Sequence, residues 1–348
     1  MIGVKIVSQI VHMGKLKVGI NGFGRIGRAV TRIALESGAF DIVAINTRKT
    51  PNALMAYLLK HDSVYRAYKK NVVATEKGIE VDGTLIPTTL ADKPADIPWG
   101  QYGVQVVIDA TGAFTKGPDL ATHIKDTVKK VVLTAPAKDD TPTVVLGVND
   151  ANFDFAGSNV ISNGSCTTNC AAPMFKVLQD SFGVEMGYLT TAHAYTLTQS
   201  LLDDANKEPD RSRAAALNIA PSTTGAAKAV VKVIPELKGK LDGMALRVPV
   251  PTSSFTDISA VVSRSVTKEE VNDAFKKASE GSMKGYLAYA TEVLVSSDYI
   301  GDPASATFDA NYTKVVGEKL VKVFGWYDNE WGYSCRIVDL VKKLEAFV

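Results

Sequence analysis

The residues most capable of chemistry in this chain surround the cysteine at position 166. Residues 163–173 read NGSCTTNCAAP, with small hydroxyl and amide side chains on both sides of the thiol. The stretch follows a short apolar run and precedes another, as in a turn from a strand into a helix. A thiol at a helix N-terminus ionises more readily, because free N–H groups and the helix dipole favour the anion. Cys166 is therefore a candidate nucleophile, and the alternative is a buried, unreactive cysteine.

A candidate base lies in the same half of the chain. His193 is placed late in an expected strand, TTAHAYT, at residues 190–196. A neutral imidazole would take the thiol proton, and the imidazolium would then stabilise an oxyanion. A strand histidine without such a partner is more often simply packed or on the surface.

Hydroxyl and guanidinium donors follow in what are predicted to be polar turns. Thr196, Thr224 and Arg247 are three of them, and Arg211 belongs to the polar segment 197–218. Arginine binds phosphate with two parallel hydrogen bonds, so these donors would make two anion sites. A segment of this length without periodicity is usually functional or interfacial.

The N-terminal part predicts a dinucleotide site. Residues 17–21 are an expected strand, residues 22–27 read GFGRIG, and a helical spacing over 28–36 precedes a second buried strand at 41–45. In G-x-G-x-x-G the glycines permit the tight turn, the approach of a pyrophosphate and close packing of helix on strand. The alternative is a glycine turn with a structural role alone.

The second strand indicates which dinucleotide is bound. It ends NTRK at 46–49, where an acidic residue would normally hold the ribose hydroxyls of NAD. Thr47 and Arg48 stand there instead, and a cation favours a 2′-phosphate. We therefore expect NAD(P)+ as cofactor, with NADP or dual use favoured. The alternative is that Arg48 is a solvated loop charge and the ribose is bound otherwise.

Further apolar runs predict a mostly parallel, doubly wound sheet. They occupy 104–110, 131–135, 144–147 and 160–162, with a helix over 51–60 and an antiparallel excursion over 71–90. Continuous apolar runs are typical of strands buried on both faces. Thr111, Gly112 and Thr134 fall at strand ends, where such sheets bind ligands.

The pattern of polar and apolar residues changes after Cys166. Longer strands with interleaved polar residues are predicted at 186–194, 255–263 and 320–327, with a capping box at 267–270 and a C-terminal helix from residue 334. A helix starting at residue 165 would contain Pro173, which should kink it. The fold class is thus α/β, a Rossmann-type doubly wound parallel sheet plus an α+β catalytic domain with a mainly antiparallel sheet.

The predicted organisation has three parts. Residues 1–14 form an N-terminal extension, residues 15–165 plus 330–348 the dinucleotide-binding domain, and residues 166–329 the catalytic domain. The net charge of the 348-residue chain is +2, so charge gives no reason to expect nucleic acid or a membrane as partner. Three cysteines without zinc-site spacing or a secretory signal favour a cytoplasmic location.

Together these residues predict one reaction. The thiolate attacks an aldehyde, the resulting hemithioacetal gives hydride to a nicotinamide, and the thioester is cleaved by water or phosphate.

Six motifs resemble those of the phosphorylating glyceraldehyde-3-phosphate dehydrogenases. They are NGFGRIGR at 21–28, SCTTNC at 165–170, AHAYT at 192–196, STTGAAKAV at 222–230, LRVP at 246–249 and WYDNE at 326–330. The resemblance extends from about residue 15 to the C-terminus in the same order. It implies oxidation of D-glyceraldehyde 3-phosphate to 1,3-bisphosphoglycerate by a homotetramer, with segment 197–218 as the S-shaped loop at its centre.

The resemblance also implies individual roles. Cys166 is the nucleophile and His193 its base, while Thr196 and Arg247 hold the phosphate of the substrate. The attacking inorganic phosphate is held by Ser165, Thr167, Arg211, Thr224 and Gly225. The cofactor is held by Asn21, Gly22, Phe23, Gly24, Arg25, Ile26, Gly27, Asn46, Thr47, Arg48, Thr111, Gly112, Phe114, Thr134, Asn329 and Tyr333, of which Asn329 orients the nicotinamide carboxamide.

Some alternatives stay open. The loop reads KEPDRSR at 207–213 and departs from the usual family pattern, so either Arg211 or Arg213 would bind phosphate. A related activity is erythrose-4-phosphate dehydrogenase, in which water completes the reaction. A nucleotide-binding redox sensor without turnover is the alternative from a different functional class.

Overall fold

The computed structural model describes residues 15–348, so the predicted extension at 1–14 lies outside the described residues. The first sheet contains β1 (Lys17–Asn21), β2 (Asp41–Asn46), β3 (Val72–Thr75), β4 (Gly78–Val81), β5 (Thr84–Thr89), β6 (Val106–Asp109), β7 (Lys130–Leu133) and β8 (Val160–Ser162). Their spatial order is β3-β4-β5-β2-β1-β6-β7-β8. All pairs from β5 to β8 are parallel, and β3 to β5 form the antiparallel excursion. The doubly wound parallel sheet is confirmed.

The expected strand at 144–147 is wrong. Its apolar residues are buried, but the chain makes a single bridge, from Thr143 to Ser162, and then turns away. The side chain of Asn149 accepts from the backbone N–H of Val145, and Gly147 has φ +81°. The run is apolar because it packs in the core, and burial alone does not distinguish a strand from a buried turn.

Seven α-helices are found in residues 15–348. They are α1 (Arg25–Ser37), α2 (Asn52–Lys60), α3 (Gly117–Ala121), α4 (Cys166–Phe182), α5 (Ala226–Val233), α6 (Lys268–Glu280) and α7 (Trp331–Leu344). The capping box of α6 is present, since Thr267 and Glu270 each bond the backbone N–H of the other. Helix α4 continues through Pro173 to Phe182. None of these helices is both long and apolar enough to cross a membrane.

The second sheet contains β9 (Val184–Ala194), β10 (Ala220–Thr223), β11 (Leu241–Val248), β12 (Ser254–Val262), β13 (Leu287–Ala290), β14 (Ala306–Asp309), β15 (Lys314–Val316) and β16 (Leu320–Tyr327). The order is β10-β11-β9-β12-β16-β14-β13, with β15 beside β16. The pairs β11/β9 and β13/β14 are parallel and the other pairs are antiparallel. A mainly antiparallel second sheet is thereby confirmed.

Each sheet has its own core, and α4 and α7 position the site between them. In β12 buried and half-buried residues alternate, as expected for a sheet with one face covered. Helix α4 packs on that covered face through Cys170, Met174 and Phe175. Helix α7 returns to the first sheet, where Ile337 and Leu340 belong to the core that also contains Val18 and Ile20. Helix α7 thereby shares a core with β1 and α1.

Candidate active site

Cys166 is the first residue of α4. Ser165 caps this helix, its Oγ accepting the backbone N–H of Thr168 at 3.0 Å. His193 is the penultimate residue of strand β9, and its Nε2 atom lies 3.4 Å from the Sγ atom of Cys166. The predicted nucleophile and base therefore touch, although they belong to different elements.

Burial favours the neutral forms of both side chains, the thiol of Cys166 and the imidazole of His193. Burial raises the pKa of the Cys166 thiol, and the charge of Arg247 opposes that effect only in part. Burial and the same guanidinium lower the pKa of His193 to about 3. Nδ1 of His193 lies 2.7 Å from the carbonyl oxygen of Ala194. A base at this position requires the tautomer in which Nδ1 donates to this carbonyl and Nε2 presents a lone pair to the thiol. In that tautomer the Nη1–H of Arg247 is directed to the same carbonyl, 3.0 Å away, because it cannot donate to a protonated Nδ1.

Arg247 lies in strand β11, so its expected place in a polar turn is wrong. Parallel pairing of β11 with β9 sets Arg247 opposite His193, and Nη1 of Arg247 lies 2.6 Å from Nδ1 of His193. The Arg247 Nε atom is buried and has no hydrogen-bond partner within residues 15–348. A buried guanidinium with an unused donor is suited to an anion.

The structure separates the two arginines of the polar segment. Arg211 lies in a short 3₁₀ helix, Pro209–Ser212, close enough to Arg247 for its charge to contribute to lowering the pKa of Arg247, after burial. Arg213 is exposed and makes an ion pair with Asp203 at 2.9 Å. The geometry therefore favours Arg211 as the member near the site.

The remaining candidate anion ligands are held by local contacts. Thr196 lies 2.9 Å from Thr198, oxygen to oxygen. Thr224 accepts the N–H of Ala226 at 3.2 Å, and Gly225 is the N-cap residue of α5. Thr167 is buried, and its hydroxyl lies 2.9 Å from that of Tyr327, so this contact would have to open for Thr167 to bind phosphate.

Tyr327 is a site residue that sequence reasoning missed. Its hydroxyl bridges Thr167 and Thr191, at 2.9 Å from each, and its ring meets the His193 ring edge-on at 6.2 Å. Its position within the WYDNE motif was the available signal, but nothing local shows that the end of β16 lies beside His193.

A cavity of about 350 Å³ opens at the carboxyl ends of β1, β2 and β6. Six predicted cofactor residues line it: Asn21, Gly22, Gly24, Thr47, Arg48 and Thr111. Sequence reasoning missed three more lining residues, Lys49, Thr50 and Ala110, which follow or precede predicted ones. This is the edge of a parallel sheet at which ligands bind.

The glycines fit a dinucleotide in that cavity. Gly22 has φ +100°, and a Cβ there would lie 2.8 Å from the carbonyl oxygen of Ala110. A Cβ at Gly27 would overlap the carbonyl oxygen of Gly22. A larger residue at either position would shift the loop, so these positions supply the tight turn and the close packing that a pyrophosphate cradle needs.

Several predicted cofactor residues do not line the cavity. Asn46 is buried and donates to the side chain of Asn21 at 2.8 Å, and the Arg25 side chain turns to Asp62 and Glu330. The others outside the lining are Phe23, Ile26, Gly27, Gly112, Phe114, Thr134, Asn329 and Tyr333. Asn46 therefore acts on the cavity through Asn21.

Two of those residues belong to the part of the site around Cys166 and His193. Asn329 follows β16, at the end of the sheet that carries His193, and is buried. Tyr333, in α7, donates to the carbonyl oxygen of Gly164 at 2.8 Å, two residues before Cys166. Both are thus tied to the elements that hold the cysteine and its base.

Comparison with known proteins agrees with this arrangement. The family model "Glyceraldehyde 3-phosphate dehydrogenase, NAD binding domain" matches residues 16–117, and "Glyceraldehyde 3-phosphate dehydrogenase, C-terminal domain" matches residues 165–329. Glyceraldehyde-3-phosphate dehydrogenase 2 of Streptomyces avermitilis is 55% identical over 93% of this chain and 97% of its own length. Glyceraldehyde-3-phosphate dehydrogenase 1 of Bacillus subtilis is 50% identical over the same shares.

Proposed function

The chain belongs to the glyceraldehyde-3-phosphate dehydrogenase family, and from this we propose that it oxidises D-glyceraldehyde 3-phosphate with NAD(P)+ and inorganic phosphate to 1,3-bisphosphoglycerate, a step of glycolysis and gluconeogenesis. The observation that supports this most directly is the 3.4 Å contact between Cys166 Sγ and His193 Nε2 at the start of α4. The adjacent Arg247 and the cavity at the edge of the first sheet add the anion and cofactor sites.

In the proposed mechanism, Nε2 of His193 takes the proton of Cys166 as the Sγ–carbon bond to the aldehyde forms. The imidazolium returns this proton to the aldehyde oxygen, which gives a hemithioacetal on Cys166. NAD(P)+, when bound, supplies the hydride acceptor. His193 removes the hydroxyl proton again as the carbonyl of the thioester forms. A phosphate oxygen then attacks the thioester carbon, the carbon–sulfur bond breaks, and the released thiolate is reprotonated.

The anion donors support two phosphate sites. We assign Thr196 and Arg247 to the phosphate of the substrate, because the buried Arg247 guanidinium retains an unpartnered Nε–H. We assign inorganic phosphate to Ser165, Thr167, Arg211, Thr224 and Gly225, which include two residues at the N-cap positions of α4 and α5. Each arginine has a carboxylate partner, Glu208 for Arg211 and Asp203 for Arg213. Arg211 is preferred because it lies close to Arg247 and its side chain is 22% exposed, against 63% for Arg213.

We propose that the enzyme uses NADP, or uses both NAD and NADP. Thr47, Arg48 and Lys49 line the cavity, and its wall contains no carboxylate to hold ribose hydroxyls or repel a 2′-phosphate. The test compares kcat/KM for NAD+ and NADP+ under the same conditions. A preference for NAD+ of more than about tenfold, or about 1.4 kcal/mol, would contradict NADP or dual use.

The activity itself is tested by cofactor reduction at 340 nm. We expect formation of NAD(P)H with glyceraldehyde 3-phosphate to require inorganic phosphate and to yield an acyl phosphate. Turnover that ignores phosphate and requires erythrose 4-phosphate would instead assign the related dehydrogenase. Cofactor binding without turnover on either aldehyde would indicate a redox sensor.

We further propose a cytoplasmic homotetramer. Segment 197–218 and the residue after it expose large apolar side chains: Leu197 is 86% exposed and Leu201 80%, and Leu202, Leu217 and Ile219 are also exposed. A cluster of this kind on a monomer marks an interaction surface. The domain limits proposed are 15–165 plus 330–348 for the cofactor and 166–329 for catalysis.

A further inference from the structure

The two amide atoms of Asn329 lie in different surroundings. Oδ1 accepts a hydrogen bond from the hydroxyl of Ser254 at 2.9 Å. Nδ2 donates no hydrogen bond to any atom of residues 15–348 and keeps some solvent exposure. The residue as a whole is 5% exposed, so the exposed area of Nδ2 is small. The amide therefore offers its donor side to a ligand and keeps its acceptor side for the protein.

The hydroxyl of Ser254 determines that orientation. Its oxygen accepts the backbone N–H of Ala194 at 3.1 Å, so its own proton must be given to another acceptor. Asn329 Oδ1 is that acceptor. Thr252 is a poor substitute donor, because its hydroxyl is 2.9 Å from Asp328 and 3.4 Å from Asn329. Ser254 is fully buried, so water does not replace its proton.

The backbone around Asn329 is held independently of Ser254. Oδ1 of Asp328 accepts from the hydroxyl of Tyr65 at 2.8 Å and from the N–H groups of Glu330 and Trp331, each at 2.9 Å. Oδ2 of Asp328 accepts from the N–H of Gly301 at 2.8 Å. With the backbone of this turn fixed in this way, the orientation of the Asn329 side-chain amide is the degree of freedom that remains.

We propose that Ser254 is a positioning residue for the cofactor, acting through Asn329. The inference rests on the proposed function and on the role that the family resemblance implies for Asn329, which is to hold the nicotinamide carboxamide. By fixing Oδ1, Ser254 presents Nδ2 as a donor to the carboxamide oxygen of that group. The same hydroxyl holds the backbone N–H of Ala194, next to His193, so one buried serine connects the amide that orients the cofactor with the strand that carries the base.

The experiment measures binding, by isothermal titration, of the oxidised dinucleotide and of ADP-ribose or its 2′-phosphate, which lack the nicotinamide. In Ser254→Ala, we expect the Kd of the dinucleotide to rise about fivefold, the size expected for one lost hydrogen bond. The Kd of the matching ADP-ribose should be unchanged. Ser334→Ala is the matched control, because Ser334 is equally buried but donates only to the carbonyl of Glu330.

A double-mutant cycle separates positioning from a general structural role. In an Asn329→Ala background, Ser254→Ala should have no further effect on dinucleotide binding. The proposal is overturned if Ser254→Ala weakens both ligands equally, weakens neither, or costs as much without Asn329 as with it. Because binding requires no turnover, a failure of the proposed dehydrogenase reaction would be seen separately in the assay at 340 nm.

Discussion

Cys166 is distinguished from the other two cysteines by its surroundings. Cys170 is buried in the core of the second sheet and Cys335 is also buried, whereas Cys166 is half-buried and touches His193. We expect Cys166→Ser to lose activity by about 10³-fold or more while cofactor affinity is retained, because a serine hydroxyl is not ionised by this base. Steady-state assays and titration with the dinucleotide test this. Cys170→Ala is the control and should keep activity within a few-fold.

Arg211 and Arg213 offer a matched pair for testing the inorganic phosphate site. We expect Arg211→Ala to raise the KM for inorganic phosphate about tenfold, because one charge-assisted hydrogen bond is lost. Arg213→Ala should leave that KM unchanged, since Arg213 is in an exposed ion pair with Asp203. Phosphate titration at saturating aldehyde and cofactor is the measurement. The reverse result would move the site to Arg213.

Thr47 is the residue at which cofactor choice is most directly tested. A carboxylate there would repel a 2′-phosphate and accept ribose hydroxyls. We expect Thr47→Asp to reduce kcat/KM for NADP+ at least tenfold and to affect NAD+ much less. Arg48→Ala should also weaken NADP+ selectively, because it removes the cation. Equal losses with both dinucleotides would show that this wall of the cavity does not contact the adenosine ribose.

At the scale of elements, an ion-pair cluster connects α1 with α7. Arg25, the first residue of α1, contacts Asp62 at 2.5 Å and Glu330, immediately before α7, at 2.5 Å. The guanidinium also lies over the ring of Tyr65, 5.5 Å from its centre. Since the backbone of Arg25 borders the glycine loop and Glu330 follows Asn329, the cluster fixes the spacing between the two proposed ends of the cofactor site.

The same cluster makes stability depend on pH. Burial would raise the pKa of Asp62, but the backbone N–H of Tyr65 and the charge of Arg25 outweigh it, and the pKa is lowered from 3.8. A carboxylate with a lowered folded-state pKa stabilises above its unfolded value, and the contribution is lost as pH falls through the folded value. Asp62→Asn should therefore cost about 1 kcal/mol at pH 7 and progressively less below pH 3.8.

Urea unfolding at pH 7 and at pH 3 measures this difference. Asp180→Asn is the control, because Asp180 is exposed in a surface pair with Lys176 and should change stability little at either pH. An Asp62→Asn deficit that is as large at pH 3 as at pH 7 would show that the carboxylate charge is not responsible.

At the scale of the whole molecule, the exposed leucines of segment 197–218 bear on assembly. Leu201→Asp would place a charge in the proposed interface, so we expect the molar mass from light scattering to fall from that of a tetramer to that of a dimer or monomer. Leu90→Asp is the control, since Leu90 is 62% exposed outside this segment. A wild-type chain that is monomeric at micromolar concentration would contradict the homotetramer.

Local chemistry determined much of this protein from the sequence alone. The glycines at 22 and 27, the cap at Ser165 and the capping box at Thr267 depend on short-range sterics and hydrogen bonds. These effects are short-range, so the turn and both helix starts were predictable. The segment at 144–147 was not, because an apolar run reports burial and a turn in the core is also buried.

The tertiary structure decided which of these local features meet. Cys166 and His193 are 27 residues apart, and Arg247 is another 54 away from His193, yet α4, β9 and β11 bring all three together. Strand order comes from the packing of whole sheets, and β9 and β11 pair in parallel with no hairpin turn between them to fix their register. For the same reason Tyr327 and Ser254 came to light only in the structure: each acts through partners that are distant in sequence, and its residue type alone would fit any buried strand.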